Sequence, residues 1–290
     1  MAKKAGATTE APYIDVERQR VYIMWDVPHL IKSTRNMLKK HNAIFQDKIA
    51  CFKDIVSLYN IDSKCNPRLV PRLNDKHVML PPFSAMNVSL ATRTLSQSVA
   101  NGLRYYMQIG ELSPQCINTA EFIEFYDKLF DTFNSKNNSS VKPLKQAMED
   151  QSIHWDFLQH AKTTLANSNY TSNTCLDITE AVSGSKQLTT HQRHPNYIRG
   201  FISNINSIVS LWQELHNDYG AESLFTNYLC QDFLENMFSE VRRRCGGNDA
   251  PDAQQFGASF KYTIIESNIN HSNGTNCEPD DLKPLMCFLR

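Results

Sequence analysis

Between Ile198 and Leu215 the apolar residues Ile198, Phe201, Ile202, Ile205, Ile208, Val209, Trp212 and Leu215 recur at steps of three and four. That period lays them along one stripe of an α-helix and does not suit the two-residue repeat of a strand. A helix with such a stripe needs a second apolar surface to cover it. The same spacing returns at Val88, Ala91, Leu95, Val99, Leu103 and Tyr106, and again at Phe122, Ile123, Tyr126, Leu129, Phe130 and Phe133. Asn118, with Glu121 three residues on, reads as the capped start of the latter helix. Further helices are expected over 153–166 and from about 223 to 244, the last with Cys230, Leu234, Met237 and Val241 inward and Gly246-Gly247 as its stop. The expectation is a predominantly helical chain of α+β class.

The clearest strand signal is Val21-Tyr22-Ile23-Met24-Trp25, an apolar run that ends in Asp26 and reads as a buried strand. Pro28 follows at a position suited to a helix start, with Asp26 or Val27 as the cap. On that helix Leu30, Ile31, Thr34, Met37, Leu38 and His41 form one face, and Lys32, Arg35 and Lys39 form another. Residues 1–18 show no periodicity and read as a tail without a β-hairpin. The irregular stretch 60–82, with Pro67, Pro71, Pro81 and Pro82, and the Ser, Thr and Asn-rich stretch 167–196 read as seams.

Lysine plus arginine number 30 and aspartate plus glutamate number 30, so no global field draws the chain to nucleic acid. Any DNA contact must come from local patches such as Lys32, Arg35 and Lys39, or Arg242, Arg243 and Arg244, whose other reading is a solvated face and compensation of a helix C-terminus. None of the 8 cysteines forms a CxxC pair, which argues against a zinc knuckle. The first residues lack the apolar core of a signal peptide, and no apolar run approaches the roughly 20 residues of a membrane span. The expected setting is intracellular, with reduced thiols.

Two acidic positions carry chemistry. Asp26 sits at a strand end, where a carboxylate is held rigidly, and Asp232 and Glu235 lie three apart on one helix face. Metal-assisted phosphoryl transfer needs such carboxylates to hold two Mg²⁺ roughly 3.5–4 Å apart. The alternative is that Asp26 is a helix cap and the others are surface acids. His29, three residues after Asp26, reads as an orienting partner or a structural hydrogen-bonder.

The string Asp26-Val27-Pro28-His29-Leu30-Ile31-Lys32, then Arg35-Asn36, resembles a signature of the P-element and THAP-domain transposase family. So do Gln231-Asp232-Phe233-Leu234-Glu235-Asn236 with Arg242, Gly246-Gly247-Asn248-Asp249, Pro251 and Gln255-Phe256, the helix around 86–100, and Phe130-Asp131 with Asn134. The resemblance covers about residues 20–282. It implies an RNase H-like fold with an Asp, Asp, Glu set, in which Asp26 matches the second Asp and Glu235 the Glu. It also implies that the stretch of about 200 residues between them, far longer than an ordinary connection, holds a helical GTP-binding insertion.

On that resemblance the chain divides into a tail (1–18), a first RNase H-like part (19–60), the insertion (61–196), the RNase H-like return (197–265) and a C-terminal segment (266–290). Nucleotide contacts fall on Arg72, Asn87, Val88, Ser96, Phe130, Asp131, Asn134 and Asp232, with Asp131 accepting from guanine N1–H and N2–H. Metal would fall on Asp26, Asp232 and Glu235, and DNA contact on Lys32, Arg35, Lys39, Arg242 and Arg243. GTP and Mg²⁺ are the implied cofactors and transposon-end and target DNA the implied partners, with a nuclear setting, no membrane, and a homodimer in the intact protein. The first Asp of the set has no counterpart, since Asp15 lies too close to Asp26, so the chain is expected not to cut or join DNA by itself. The alternative expectation is a domesticated or relic GTP-binding module without catalysis.

Overall fold

The computed structural model describes residues 6–17, 19–82, 84–136, 138–171, 195–248, 250–266 and 286–288. Helices dominate, as the apolar periods require. They are α1 (Val27–Lys40), α2 (Phe52–Asp62), α3 (Asp75–Met79), α4 (Val88–Thr94), α5 (Gln97–Gln108), α6 (Cys116–Thr132), α7 (His154–Ala166), α8 (Asn196–Tyr219), α9 (Asp232–Arg244) and α10 (Ala253–Glu266). Short strands form three small antiparallel sheets: β1 (Tyr13–Val16) with β2 (Gln19–Tyr22); β3 (Ala43–Phe45) between β4 (Lys48–Ala50) and β6 (Asn169–Tyr170); and β7 (Ala221–Leu224) between β5 (Met148–Glu149) and β8 (Met286–Phe288).

One apolar core joins α1, α2, α5, α6, α7 and α8 through side chains such as Leu30, Ile55, Leu103, Phe122, Tyr126, Leu158 and Phe201. The stripe read at 198–215 faces this core, with Ile198, Phe201, Ile205, Ile208 and Trp212 buried. Gly200 lets α8 lie close on α1, because a Cβ there would come within 2.7 Å of Leu30 Cδ2. A larger residue at 200 would push apart the two helices that frame Asp26.

Several expectations are corrected. Residues 13–22 are not tail but a β-hairpin, with Tyr13 opposite Tyr22 and Asp15 opposite Arg20, closed by Glu17 in a left-handed conformation at φ 50°. The run 21–25 is not a buried strand: only its first two residues are in β2, and Val21 and Trp25 are about half exposed. Its β-branched and aromatic composition signalled extended backbone but not burial on both faces.

The period at Val88–Tyr106 is interrupted at Leu95-Ser96, where α4 ends and α5 begins, although the apolar stripe runs on through both. Helix α6 begins at Cys116, upstream of the proposed Asn118 cap. The stretch 223–244 is not one helix. Ala221–Leu224 is a strand, Thr226–Leu229 a 3-10 turn, and only Asp232–Arg244 is α9, with Val241 buried but Leu234 exposed. Of the 167–196 seam, residues 172–194 lie outside the described residues, as does most of 266–290. None of the helices among the described residues is long and apolar enough to cross a membrane.

The basic face of α1 is also corrected. Lys32 and Arg35 are buried, and Arg35 donates to the Ala85 carbonyl at 2.9 Å and to Asn36 Oδ1 at 2.7 Å. Burial pulls Arg35 down to about 10. Lys39 sits on the Val78 and Met79 carbonyls at 3.3 and 3.2 Å, where it caps the end of α3. Arg35 is thus spent within the fold, while Lys39 reaches main-chain carbonyls and stays exposed.

Candidate functional site

Asp26 ends the extended segment 23–25, which α8 holds in place. Two residues buried within the apolar face of α8 supply the grip. Asn204 accepts from Trp25 N–H and donates to the Trp25 carbonyl, both at 2.7 Å, and Ser207 Oγ donates to the Ile23 carbonyl at 2.7 Å. Asn204 therefore pairs with the Trp25 main chain as a neighbouring strand would. With that backbone fixed, Asp26 becomes the cap of α1: Oδ2 accepts from His29 N–H at 3.1 Å and is in close contact with His29 Nδ1.

The other oxygen of Asp26 faces a second helix start. Oδ1 accepts from the main-chain N–H of Gln231, the cap residue of α9, at 3.1 Å. One carboxylate thus lies between the N-termini of α1 and α9, where both helix dipoles favour negative charge. Asp232 and Glu235 follow in the first turn of α9, so the structure gathers Asp26, Asp232 and Glu235 at one end of that helix. Cys230 lies beside them and donates to the Asn227 carbonyl at 2.9 Å. Burial first, then the charge of Asp232 and Asp26, pushes the Cys230 thiol up to about 12.

Each Asp26 oxygen accepts one main-chain N–H and keeps a further lone pair, and the described residues contain no cluster of three or more His, Cys, Asp or Glu suited to a metal ion. At the far end of α9 the arginines form an internal clamp. Glu240, buried, receives Arg243 through two bonds of 2.7 and 2.6 Å and Arg244 at 2.8 Å. The Arg243 hydrogen bonds, with the charge of Arg243 and Arg244, hold Glu240 below the usual carboxylate range against the opposing effect of burial.

The second group of residues lies around α6. Asp131 is buried, and its Oδ2 accepts from Lys142 Nζ at 2.7 Å; the same ammonium donates to Asp127 Oδ2 at 2.6 Å. The backbone of Gln97, the first residue of α5 and directly after Ser96, also lowers the Asp127 carboxyl, the smallest of its influences. Burial pushes the Asp127 carboxyl up, and Lys142 only partly reverses this. Burial also works against the charge on Lys142, but the two carboxylates outweigh it and hold the ammonium above the ordinary lysine value.

Phe130 is half-buried and packs on the core, and Asn134 follows α6 with its N–H on the Asp131 carbonyl at 3.2 Å. Asn87 caps α4 by accepting from Leu90 N–H at 3.1 Å, with Val88 as the first helical residue. Arg72 is exposed. Asn87 and Ser96 bracket α4, a length of roughly 10 Å, and no hydrogen bond or ion pair among the described residues joins Arg72 or Asn87 to the Asp131 cluster.

A short segment links the two groups. Thr226 accepts from Ser135 N–H at 3.0 Å, donates to the Thr132 carbonyl at 2.7 Å, and donates its own N–H to Ser135 Oγ at 2.9 Å; Asn227 N–H reaches the Ser135 carbonyl at 3.2 Å. All four bonds join the end of α6 to residues 226–227. Four positions later Gln231 holds Asp26. Sequence reasoning missed Asp127, Lys142, Ser135 and Thr226, and read Gln231 only as part of a motif. Asp127 was discoverable, being four before Asp131 on the same helix face, whereas the partners far along the chain leave no local pattern.

Residues 28–147 match the family described as the TNP-like GTP-binding insertion domain, and residues 228–261 match the TNP-like RNase H C-terminal domain. The chain is 24% identical over 268 residues to the Drosophila melanogaster transposable element P transposase, covering 90% of this chain and 33% of that protein. It is 29% identical over 254 residues to the Homo sapiens DNA transposase THAP9, covering 83% and 26% respectively. It thus spans about a third or less of the curated relatives it matches. Its fold matches the chain solved as the Drosophila P element transposase strand transfer complex with a TM-score of 0.77 and 22% identity, over 92% of this chain and 57% of that one.

Proposed function

Because the chain belongs to the P-element and THAP-domain transposase family, we propose that it is the guanine-nucleotide-binding section of a DNA transposase, joined to the strand end and returning helix of its RNase H-like domain. The observation that carries this reading is the segment 226–232, bonded at one end to the close of α6 and at the other to Asp26. GTP bound through Asp131 and Ser96 would fix the end of α6. Through Thr226 and Gln231 that order reaches the helix start that holds Asp26 and carries Glu235.

GTP in this reading is a positioning cofactor, and no hydrolysis is needed. The DNA partner is met by the longer protein, in the nucleus, with Arg242 the arginine of α9 that has no part in the Glu240 clamp. Mg²⁺-dependent cutting and joining at Asp26 and Glu235 belongs to that longer protein too. In this chain the Asp26 carboxylate accepts from the starts of two helices.

Hydrogen–deuterium exchange with and without GTP tests the coupling. Protection is expected at Gln97, at 131–135 and at 226–232 together. Protection confined to 97–135, with 226–232 unchanged, would contradict it.

A further inference from the structure

Asp131 has a donor from within the chain. A carboxylate pairs with the N1–H and N2–H edge of guanine through both of its oxygens. Here Oδ2 is held by Lys142 Nζ at 2.7 Å. We propose that Lys142 is the gate of the guanine site: an ammonium that occupies Asp131 until a base with two adjacent N–H donors displaces it onto Asp127. The proposal rests on the guanine reading of Asp131 given above.

The geometry supplies the route. Lys142 is already bonded to both acids, so releasing Asp131 breaks one bond and leaves the other, 2.6 Å long, in place. Asp127 and Asp131 lie four apart on α6 and face the same way, so the ammonium swings between them without moving a helix. The Lys142 side chain is 46% exposed, whereas Asp127 and Asp131 are 13% and 9% exposed, so the mobile partner is the solvent-facing one. The gate also sharpens specificity. Adenine presents no pair of donors to replace the ammonium, so a purine without the guanine edge leaves the site closed.

Isothermal titration of the whole chain with GTP and with ATP tests this. Lys142→Met should lower the Kd for GTP at least fivefold, since Asp131 then has no resident donor, and Lys142→Gln should do the same in lesser degree. Asp127→Asn weakens the parking place, so it should raise the Kd for GTP at least threefold. Lys142→Arg should stay close to wild type, and ATP binding should not improve in any variant. A triad with a purely structural role would weaken GTP binding in both directions of substitution. Wild-type preference for GTP with no tightening in Lys142→Met or Lys142→Gln would overturn the gate alone. No GTP binding in wild type or any variant would overturn the guanine reading as well.

Discussion

Gln231 donates its main-chain N–H to Asp26 Oδ1 at 3.1 Å across 205 positions of sequence. The bond joins the cap of α9 to the cap of α1, and it makes Asp26 a structural hub. A carboxylate suits this position because it accepts at both oxygens and lies at the positive ends of two helices.

Removing that carboxylate should therefore cost stability. Asp26→Ala is expected to destabilise the chain by about 1–2 kcal/mol, the range for loss of a helix cap, measured by urea unfolding. Asp26→Asn keeps one carbonyl acceptor and should lose markedly less. Equal losses in the two variants would show that charge alone matters at this position.

Asn204 should be as sensitive, although it touches no acid. It satisfies both the N–H and the carbonyl of Trp25 from within an apolar helix face. Asn204→Ala leaves those groups without their partner, at a cost of about 1–3 kcal/mol for each buried group left unsatisfied. Urea unfolding of Asn204→Ala measures this; a variant as stable as wild type would mean that water or another group replaces the amide.

Acid should weaken the fold through two buried histidines. His77 and His154 are buried with Nε2 unpartnered, and burial, the largest cause for each, lowers both below the ordinary value of 6.5. The folded state then binds fewer protons than the unfolded state, so this stability is fully present above 6.5 and is lost as pH falls below it. Unfolding free energy measured from pH 7.5 to 5 should fall, and His154→Phe should flatten part of that fall. An unchanged slope in the variant would remove His154 from the account.

Catalysis is expected to be absent from this chain alone. In a supercoiled-plasmid nicking assay with Mg²⁺ or Mn²⁺, the wild-type chain should show no activity above that of Glu235→Gln. Nicking that disappears in Glu235→Gln would mean that the acids gathered at α9 suffice.

The helical character of the chain and the stripe of α8 were legible because a period of three to four residues is written locally. The acids Asp26, Asp232 and Glu235 were legible through their motifs, and the structure does gather them at one helix end. The hairpin at 13–22 was not, because its face is open and its apolar residues do not alternate cleanly against a core. Nor was the break before α9, where Ala221–Leu224 pairs as a strand with Met148–Glu149 far upstream. The basic face of α1 was misjudged for a related reason. Lys32, Arg35 and Lys39 share a face by spacing, but only the loop around Ala85 and the end of α3 show that Arg35 and Lys39 are engaged. Contacts of that kind are set by tertiary neighbours and leave no trace in local sequence.

The central claim is that this chain holds a guanine nucleotide through Asp131. Isothermal titration of the wild-type chain and Asp131→Asn with GTP and ATP tests it most directly. The account predicts that wild type prefers GTP by at least tenfold and that Asp131→Asn loses that preference while remaining folded. Equal binding of GTP and ATP by wild type, or a preference that survives in Asp131→Asn, would contradict it.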